Sequence, residues 1–119
     1  MTIAVPVAGD LIYQHFGHAP GFRLYQIEND VVSSTCNQCV AGHGHDLLAQ
    51  FLTDHHVTTL ICGCIGCGAK DALKSAGITL YGGVTGEADE AVDAFLAGFL
   101  DYDPDVRCSH HGGCGSHCH

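Results

Sequence analysis

Basic residues are scarce in this sequence: Lys and Arg total 4 among 119 residues, against 13 Asp and Glu, so the formal net charge is −9. General affinity for nucleic acid or anionic lipid needs a basic patch, which this balance excludes. Tryptophan is absent, and no apolar run approaches the roughly 20 residues that span a bilayer. We therefore expect neither a nucleic-acid partner nor a membrane partner.

The sequence also lacks the marks of a secretory leader. Residues 1–7 carry no basic leader and are too short for a signal-peptide apolar region, so they predict a first strand and a cytoplasmic protein. In a reducing compartment cysteines stay free or bind metal, so the 8 cysteines favour metal binding over a disulfide scaffold. The length fits one domain of about 100–150 residues.

The apolar residues change period along the chain and predict alternating strands and helices. Asn29 and Asp30 tolerate the positive φ of a tight hairpin turn between two strands. Gly77 follows a helical pattern that starts at Ala69 and fits its C-terminus. The order β-β-β-α-β-α-β-α predicts a single α/β domain, with a mixed five-stranded sheet flanked by three helices. The predicted strands are 2–7, 22–27, 31–35, 58–62 and 78–81, and the predicted helices are 46–56, 69–76 and 88–100.

The end of the chain has a different character. Residues 1–104 form the predicted domain, whereas 105–119 form a tail without aliphatic or aromatic core formers after residue 107, so the tail cannot fold by burial. Tracts rich in Cys and His chelate Zn, Ni or Cu ions. The candidate metal ligands of the tail are Cys108, His110, His111, Cys114, His117, Cys118 and His119.

Five further cysteines form the main candidate site. Cys36 and Cys39 make one C-x-x-C, and Cys64 and Cys67 make a second that is preceded by Cys62. This spacing lets two thiolates converge on one metal or cluster from a single turn of backbone. Both segments follow predicted strands, so we expect them at the carboxyl edge of the sheet, where ligands collect.

Histidines supply weaker signals. His15 and His18 follow the first strand, and His43 and His45 precede the first helix, so either pair is a candidate for ligation or for a supporting role around the site. Solvated loop histidines are the competing interpretation. His55 and His56, at a helix end, are expected to interact with the last carbonyl groups.

Several of these segments together resemble the dinitrogenase iron-molybdenum cofactor biosynthesis family, which includes NifX-type domains, domains like the C-terminal part of NifB, and the molybdenum-copper orange protein. The matching segments are 3–7, 15–20, 61–73 and 85–100, and the resemblance covers about residues 1–103. It implies a ribonuclease H-like fold that binds or carries metal-sulfur clusters, including molybdenum or copper heterometal clusters, without catalysis. Many members lack counterparts of Cys36 and Cys39, which implies a subgroup with its own cluster.

The leading hypothesis is a non-enzymatic protein that binds an iron-sulfur or related cluster and exchanges it with donor or acceptor proteins. Cys36, Cys39, Cys64 and Cys67 are the expected ligands, with Cys62 as an alternative. Four thiolates suit a 4Fe–4S cluster, which we favour over 2Fe–2S, within one chain or bridging a homodimer. The same set suits tetrahedral zinc, so a zinc protein or metallochaperone that uses the tail is the first alternative. A thiol-disulfide oxidoreductase is the second. Nuclease activity is not expected, because strands 2–7 and 58–62 carry no carboxylates.

Overall fold

The structure is a computed structural model, and it describes residues 1–14, 20–39, 45–65 and 67–102, without the side chains of residues 45, 46 and 67. This part of the chain contains six strands and three helices. The strands form one mixed sheet with the order β4-β3-β1-β5-β6, and β2 pairs with β1 outside this order. The strands are β1 Thr2–Ala8, β2 Leu11–Ile12, β3 Gly21–Glu28, β4 Val31–Cys39, β5 Thr59–Ile61 and β6 Thr79–Tyr81. The helices are α1 His45–Asp54, α2 Cys67–Ser75 and α3 Ala88–Ala97.

The predicted class, a mixed α/β domain with three helices, is confirmed, but the count of five strands is wrong. The additional strand is β2, which pairs antiparallel with the end of β1 over two residues. A two-residue strand is too short to leave an alternating hydrophobic pattern, so the sequence contains no periodic signal for it. The ribonuclease H-like label stays a prediction.

The β3–β4 hairpin has the predicted turn but a longer second strand. Asn29 and Asp30 take φ values of 53° and 63°, the left-handed conformation that a tight hairpin needs. The prediction that the second strand ends at Thr35 is wrong, because β4 continues to Cys39, which pairs with Gly21. Polar side chains are compatible with this extension because β4 lies at the edge of the sheet.

Each face of the sheet has its own hydrophobic core. On one face, Phe22, Leu60 and Cys62 pack with side chains of α1 and α2, such as Leu52 and Leu73. We call this the α1/α2 face. On the opposite face, which we call the α3 face, the apolar side chains of β1, β3 and β5 pack with those of α3. The sheet is therefore covered on both sides, as its parallel β1, β5 and β6 require.

The helices differ from prediction mainly at their ends. α3 ends at Ala97 rather than residue 100, because Gly98 turns left-handed at φ 89° and its N–H bonds the carbonyls of Ala94 and Phe95. Phe99, which continued the apolar pattern, is 75% exposed. At the end of α1 the His55 ring lies 2.9 Å from the Phe51 carbonyl, as expected. No helix in the described residues is long and apolar enough to cross a membrane. The predicted tail lies outside these residues, so it stays a prediction.

Candidate functional site

The strand directions bring two cysteine segments to one edge of the sheet. β1, β5 and β6 are parallel, and β4 points the same way because β3 is antiparallel to both β1 and β4. The C-terminal ends of these strands therefore share the edge that we call the carboxyl edge. Cys36 and Cys39 lie in the last part of β4, and Cys62 and Cys64 follow β5. This edge is the natural ligand position in an open α/β sheet.

The two segments are nevertheless separated sideways. β3 and β1 lie between β4 and β5, and strands are spaced about 4.8 Å apart, so about 14 Å separates the two cysteine-bearing backbones. Two sulfurs on one zinc ion lie at most about 4.6 Å apart, twice the Zn–S bond length. A single zinc ion therefore does not reach both segments of one chain from these positions.

The pair Cys36 and Cys39 does not converge as predicted. Both belong to an extended strand, where residues three apart point to opposite faces. Cys36 lies opposite Leu24, on the α1/α2 face, and the Gln38 side chain on the same face donates to its sulfur at 3.3 Å. Cys39 therefore belongs to the α3 face. The prediction of two thiolates joined by one turn of backbone is wrong for this pair, although both thiols are free and exposed.

Cys62 has a structural environment rather than that of a ligand. Its side chain is fully buried and packs in the core beneath α2, and its sulfur lies 3.8 Å from the Gly63 carbonyl oxygen. Burial raises the pKa of the Cys62 thiol to about 12, although nearby Lys70 acts in the opposite direction. The thiol stays protonated at neutral pH, whereas metal ligation requires the thiolate. These observations disfavour the expected role of Cys62 as an alternative ligand.

Cys64 lies at the edge itself and is half-buried. Its backbone N–H donates to the Gln14 carbonyl at 2.8 Å, and its sulfur belongs to a disulfide. Cys67 is the first residue of α2, where a helix N-terminus favours thiolate. A disulfide sulfur does not ligate metal as thiolate, so this segment must be reduced before it binds a cluster.

The other candidate ligands, the histidines and the tail residues, lie almost entirely outside the residues that the structure describes. His15, His18 and His43 and the seven tail residues fall in segments that the structure does not describe, and His45 is described only as the start of α1. Within the described residues, no three His, Cys, Asp or Glu side chains gather closely enough to hold a metal ion. The expected role of His15, His18, His43 and His45 therefore stays a prediction.

The sequence pattern did not reveal a polar cluster centred on Arg23. This side chain is 10% exposed, and it donates to Asn37 at 2.9 Å, to Asp10 at 3.0 Å, to Asp89 at 3.2 Å and to the Gly9 carbonyl at 3.2 Å. These bonds, from Asp10 first, raise its pKa above the ordinary value against the effect of burial. The cluster ties β3, β4 and α3 together. The sequence does contain one signal for this cluster: Arg23 is one of only 4 basic residues, and it lies within an apolar strand segment.

Tyr25 completes this cluster from the same face of β3. Its hydroxyl donates to Asp89 at 2.6 Å. Burial, followed by this hydrogen bond, raises the pKa of Tyr25 above the ordinary value, and the same bond together with Arg23 lowers the pKa of Asp89. The side chains border an open groove of about 510 Å³ on the α3 face, on the opposite side of the sheet from Cys36. Because its charged groups pair with one another, the cluster holds α3 against the sheet.

Comparison with known proteins identifies the family. The family model described as dinitrogenase iron-molybdenum cofactor matches residues 1–98. The chain belongs to this family. The match ends at Gly98, the residue that ends α3, so the dinitrogenase iron-molybdenum cofactor domain includes both cysteine segments and excludes the Cys/His-rich tail.

Individual proteins of known sequence or structure are similar to this chain over most of their length. The uncharacterized protein MJ0580 of Methanocaldococcus jannaschii is 29% identical over 107 residues, which cover 85% of this chain and 90% of that protein. The crystal structure of PH0822 has a TM-score of 0.82 at 30% identity, covering 88% of this chain and 96% of the other. The apo form of the orange protein from Desulfovibrio gigas has a TM-score of 0.74 at 27% identity, covering 87% and 92%.

Gly21 fixes the position of the end of β4 in this family domain. A Cβ at Gly21 would lie 2.6 Å from the Gln38 carbonyl oxygen, which belongs to backbone and cannot rotate away. We expect Gly21→Ala to lower the free energy of unfolding by about 1–3 kcal/mol, measured by urea denaturation. Gly63→Ala is the matched control and should cost less, since the nearest atoms to its Cβ belong to the Gln14 side chain, which can move away at the expense of its hydrogen bonds to the Ile12 and Val84 carbonyls. An equal or larger loss for Gly63→Ala would contradict this account.

The pKa of Asp89 predicts a pH dependence of stability. Because the folded-state pKa is lowered from 3.8, the ionised carboxylate contributes stability above that pH, and the contribution disappears as pH falls through the lower folded value. Asp89→Asn should cost about 0.5 kcal/mol at pH 7, since the side chain is mostly exposed. This difference should shrink in urea titrations as the pH falls below 3.8. Glu90→Gln, in the same helical turn, is the control and should show no such change.

Proposed function

We propose that the protein binds a metal-sulfur cluster and carries it to or from other proteins, without catalysing a reaction. The observation that carries the proposal is that the family described as dinitrogenase iron-molybdenum cofactor matches the segment containing all five cysteines of the two C-x-x-C regions. The donor chemistry supports it, because thiolates are the ligands of iron-sulfur clusters. The setting is the reducing cytoplasm, where such thiols stay available.

The ligands that we propose are Cys36, Cys39, Cys64 and Cys67. Cys36 and Cys39 are free and exposed, and therefore ready to bind. Cys64 and Cys67 become available as a second set of ligands after reduction of the Cys64 disulfide. Cys62 is left out because it is fully buried. A 4Fe–4S cluster is the favoured cargo and 2Fe–2S the next, with molybdenum or copper as additional metals in the proposal.

The separation of about 14 Å between the two segments favours a cluster that bridges two chains. In one chain, Cys36 and Cys39 point to opposite faces, so they offer one sulfur to each side of the sheet. A second copy supplies further thiolates on the same face. The proposal therefore includes a homodimer, together with separate proteins that donate or accept the cluster.

Metal and sulfide analysis of the anaerobically purified full-length chain tests the function. Iron, acid-labile sulfide, zinc, copper and molybdenum are measured on one sample, with its visible absorption spectrum. We expect a coloured protein with iron and sulfide in similar amounts, which sodium dithionite bleaches. A colourless protein with stoichiometric zinc and no sulfide would overturn the proposal in favour of a zinc protein or metallochaperone.

One observation favours a second function, thiol-disulfide exchange. The Cys64 sulfur is in a disulfide, and α2 begins three residues later at Cys67, where a helix N-terminus stabilises the thiolate. Reduction of insulin disulfides by dithiothreitol, with the metal-free protein added as the catalyst and dithiothreitol as the electron donor, tests it. Loss of this turnover in metal-free Cys67→Ser would establish the second function, provided that anaerobically purified Cys67→Ser still contains as much iron as the wild type. An absence of turnover would leave cluster binding as the role of this segment.

A further inference from the structure

The outer edge of β4 is a long strand edge with no strand beside it in the described structure. β4 has nine residues and is the last strand in the sheet order. Seven of the nine are exposed, all except the half-buried Val32 and Gln38. An ordinary edge strand of a covered sheet buries one of its two faces. β4 instead exposes both faces together with its edge, so it is open to pairing.

The usual protections against strand pairing are largely missing from β4. Its sequence contains no charged residue and no proline, the residues that keep exposed edges apart. A register shift between Gln26 and Ile27 disturbs only the hairpin end, so residues 34–39 remain regularly paired with β3. The opposite edge strand, β6, has three residues, and Tyr81 at its end packs against Tyr102 and Phe95. β4 is thus the more accessible edge.

We propose that β4 pairs antiparallel with β4 of a second copy of this chain, so that the two sheets become one continuous sheet. Charge favours this surface for self-association, because each copy carries a net charge of −9 and β4 carries none. An antiparallel strand edge is also complementary to itself, as a two-fold interface requires. The backbone N–H and C=O groups of the free edge supply the hydrogen bonds.

This pairing brings together the two copies of Cys36 and not those of Cys39. A two-fold axis normal to the sheet keeps equivalent residues on one face, so both Cys36 thiols lie on the α1/α2 face. When the register centres on Cys36 their Cβ atoms lie about 4.5–5.5 Å apart, and when it centres on Thr35 or Asn37 they are diagonal neighbours at about 7–8 Å. In the first register the Cys39 residues are six positions apart along the strands, about 20 Å.

The proposal deepens the proposed function, since it names the surface that presents two Cys36 thiols to one cluster, but the pairing itself needs no cluster. Its test therefore uses the reduced, chelator-treated full-length chain in sedimentation equilibrium. We expect a concentration-dependent dimer of twice 12.5 kDa. Dimerisation without iron binding would support this surface and contradict the function, and iron binding by a strict monomer would do the reverse.

Charge placed on the strand tests which edge is used. Ser34→Glu adds a carboxylate to each exposed β4, and we expect it to weaken the dimer at least about tenfold, since it puts two like charges into an interface that carries none and a charged side chain on an edge strand opposes strand pairing. Thr79→Glu makes the same change at an exposed position of β6 and should leave dimerisation unaltered. Weakening by Thr79→Glu alone, or a wild-type monomer throughout, would overturn the proposal. Thermal unfolding followed by circular dichroism checks that both variants are folded.

Mild oxidation gives a second readout that needs no change of charge. Cys39→Ser should form a disulfide between two Cys36 residues, located by peptide mapping, because directly opposite residues of an antiparallel pair have Cα atoms about 4.5–5.5 Å apart, within the range that a disulfide spans. Cys36→Ser should form no corresponding Cys39 link at the same oxidant concentration. Hydrogen exchange of the wild-type chain should show protection of the amides of residues 34–39 that rises with protein concentration. A link through Cys39 alone would contradict the register.

Discussion

Replacing Cys36 and Cys39 together by serine is expected to leave the anaerobically reconstituted protein without bound iron and acid-labile sulfide. Both thiols are free and exposed, and they lie at the carboxyl edge of the sheet. Serine keeps the size and the hydrogen bonding of each side chain but does not replace thiolate as a ligand of iron. Because the two positions are exposed on an edge strand, the free energy of unfolding of the double variant should lie within about 0.5 kcal/mol of the wild-type value.

The matched control for this double variant is Cys62→Ala. Cys62 is fully buried and packs in the core, so its removal should cost about 1 kcal/mol of stability and leave iron and sulfide unchanged. The two single variants show how much of the iron loss each cysteine causes. Cys36→Ser should lose more iron than Cys39→Ser, since the two Cys36 thiols meet in the proposed dimer. Full iron content in the double variant, or its loss in Cys62→Ala, would contradict this ligand set.

The sequence predicted those parts of the fold whose signal is repeated or chemically specific. The apolar stripe of α3 and the turn at Asn29 and Asp30 are examples, because period and positive φ are properties that residue types reveal. The two-residue β2 contains no period, and its pairing depends on the return of the chain beside β1. The extension of β4 to Cys39 depends on pairing with β3, which the polar residues of that segment do not encode.

The candidate site was predicted at the level of the sheet edge and not at the level of sulfur geometry. The spacing of Cys36 and Cys39 is compatible with a turn and with a strand, and only tertiary pairing decides between them. Cys62 offered a readable signal, since it continues the apolar run of β5 and alternates with Ile61, which faces the other core. The position of Cys62 at the end of that apolar run therefore indicates a buried core residue rather than a ligand.

Phe22→Ala is expected to produce the largest loss of stability among single substitutions, about 3–5 kcal/mol. Phe22 is fully buried on β3, and its ring stacks on Phe51 of α1 with centroids 5.5 Å apart. Because small domains have a total stability of about 5–15 kcal/mol, this is a large fraction, and urea unfolding at constant pH measures it. Phe22→Leu retains most of the apolar volume and should lose about 1–2 kcal/mol.

The position of Phe22 also separates the stability of the fold from cluster binding. Phe22 lies on β3 opposite Gln38 of the edge strand that carries Cys36, and its ring packs in the core on the α1/α2 face and supplies no ligand. We therefore expect Phe22→Ala, below its lowered melting temperature, to bind as much iron and sulfide as the wild type, whereas the Cys36 and Cys39 double variant is stable and binds none. If Phe22→Ala remained folded and yet lost the cluster, the packing of α1 against β3 would have to set the position of the Cys36 thiol, and fold stability and cluster binding would not be separable at this residue.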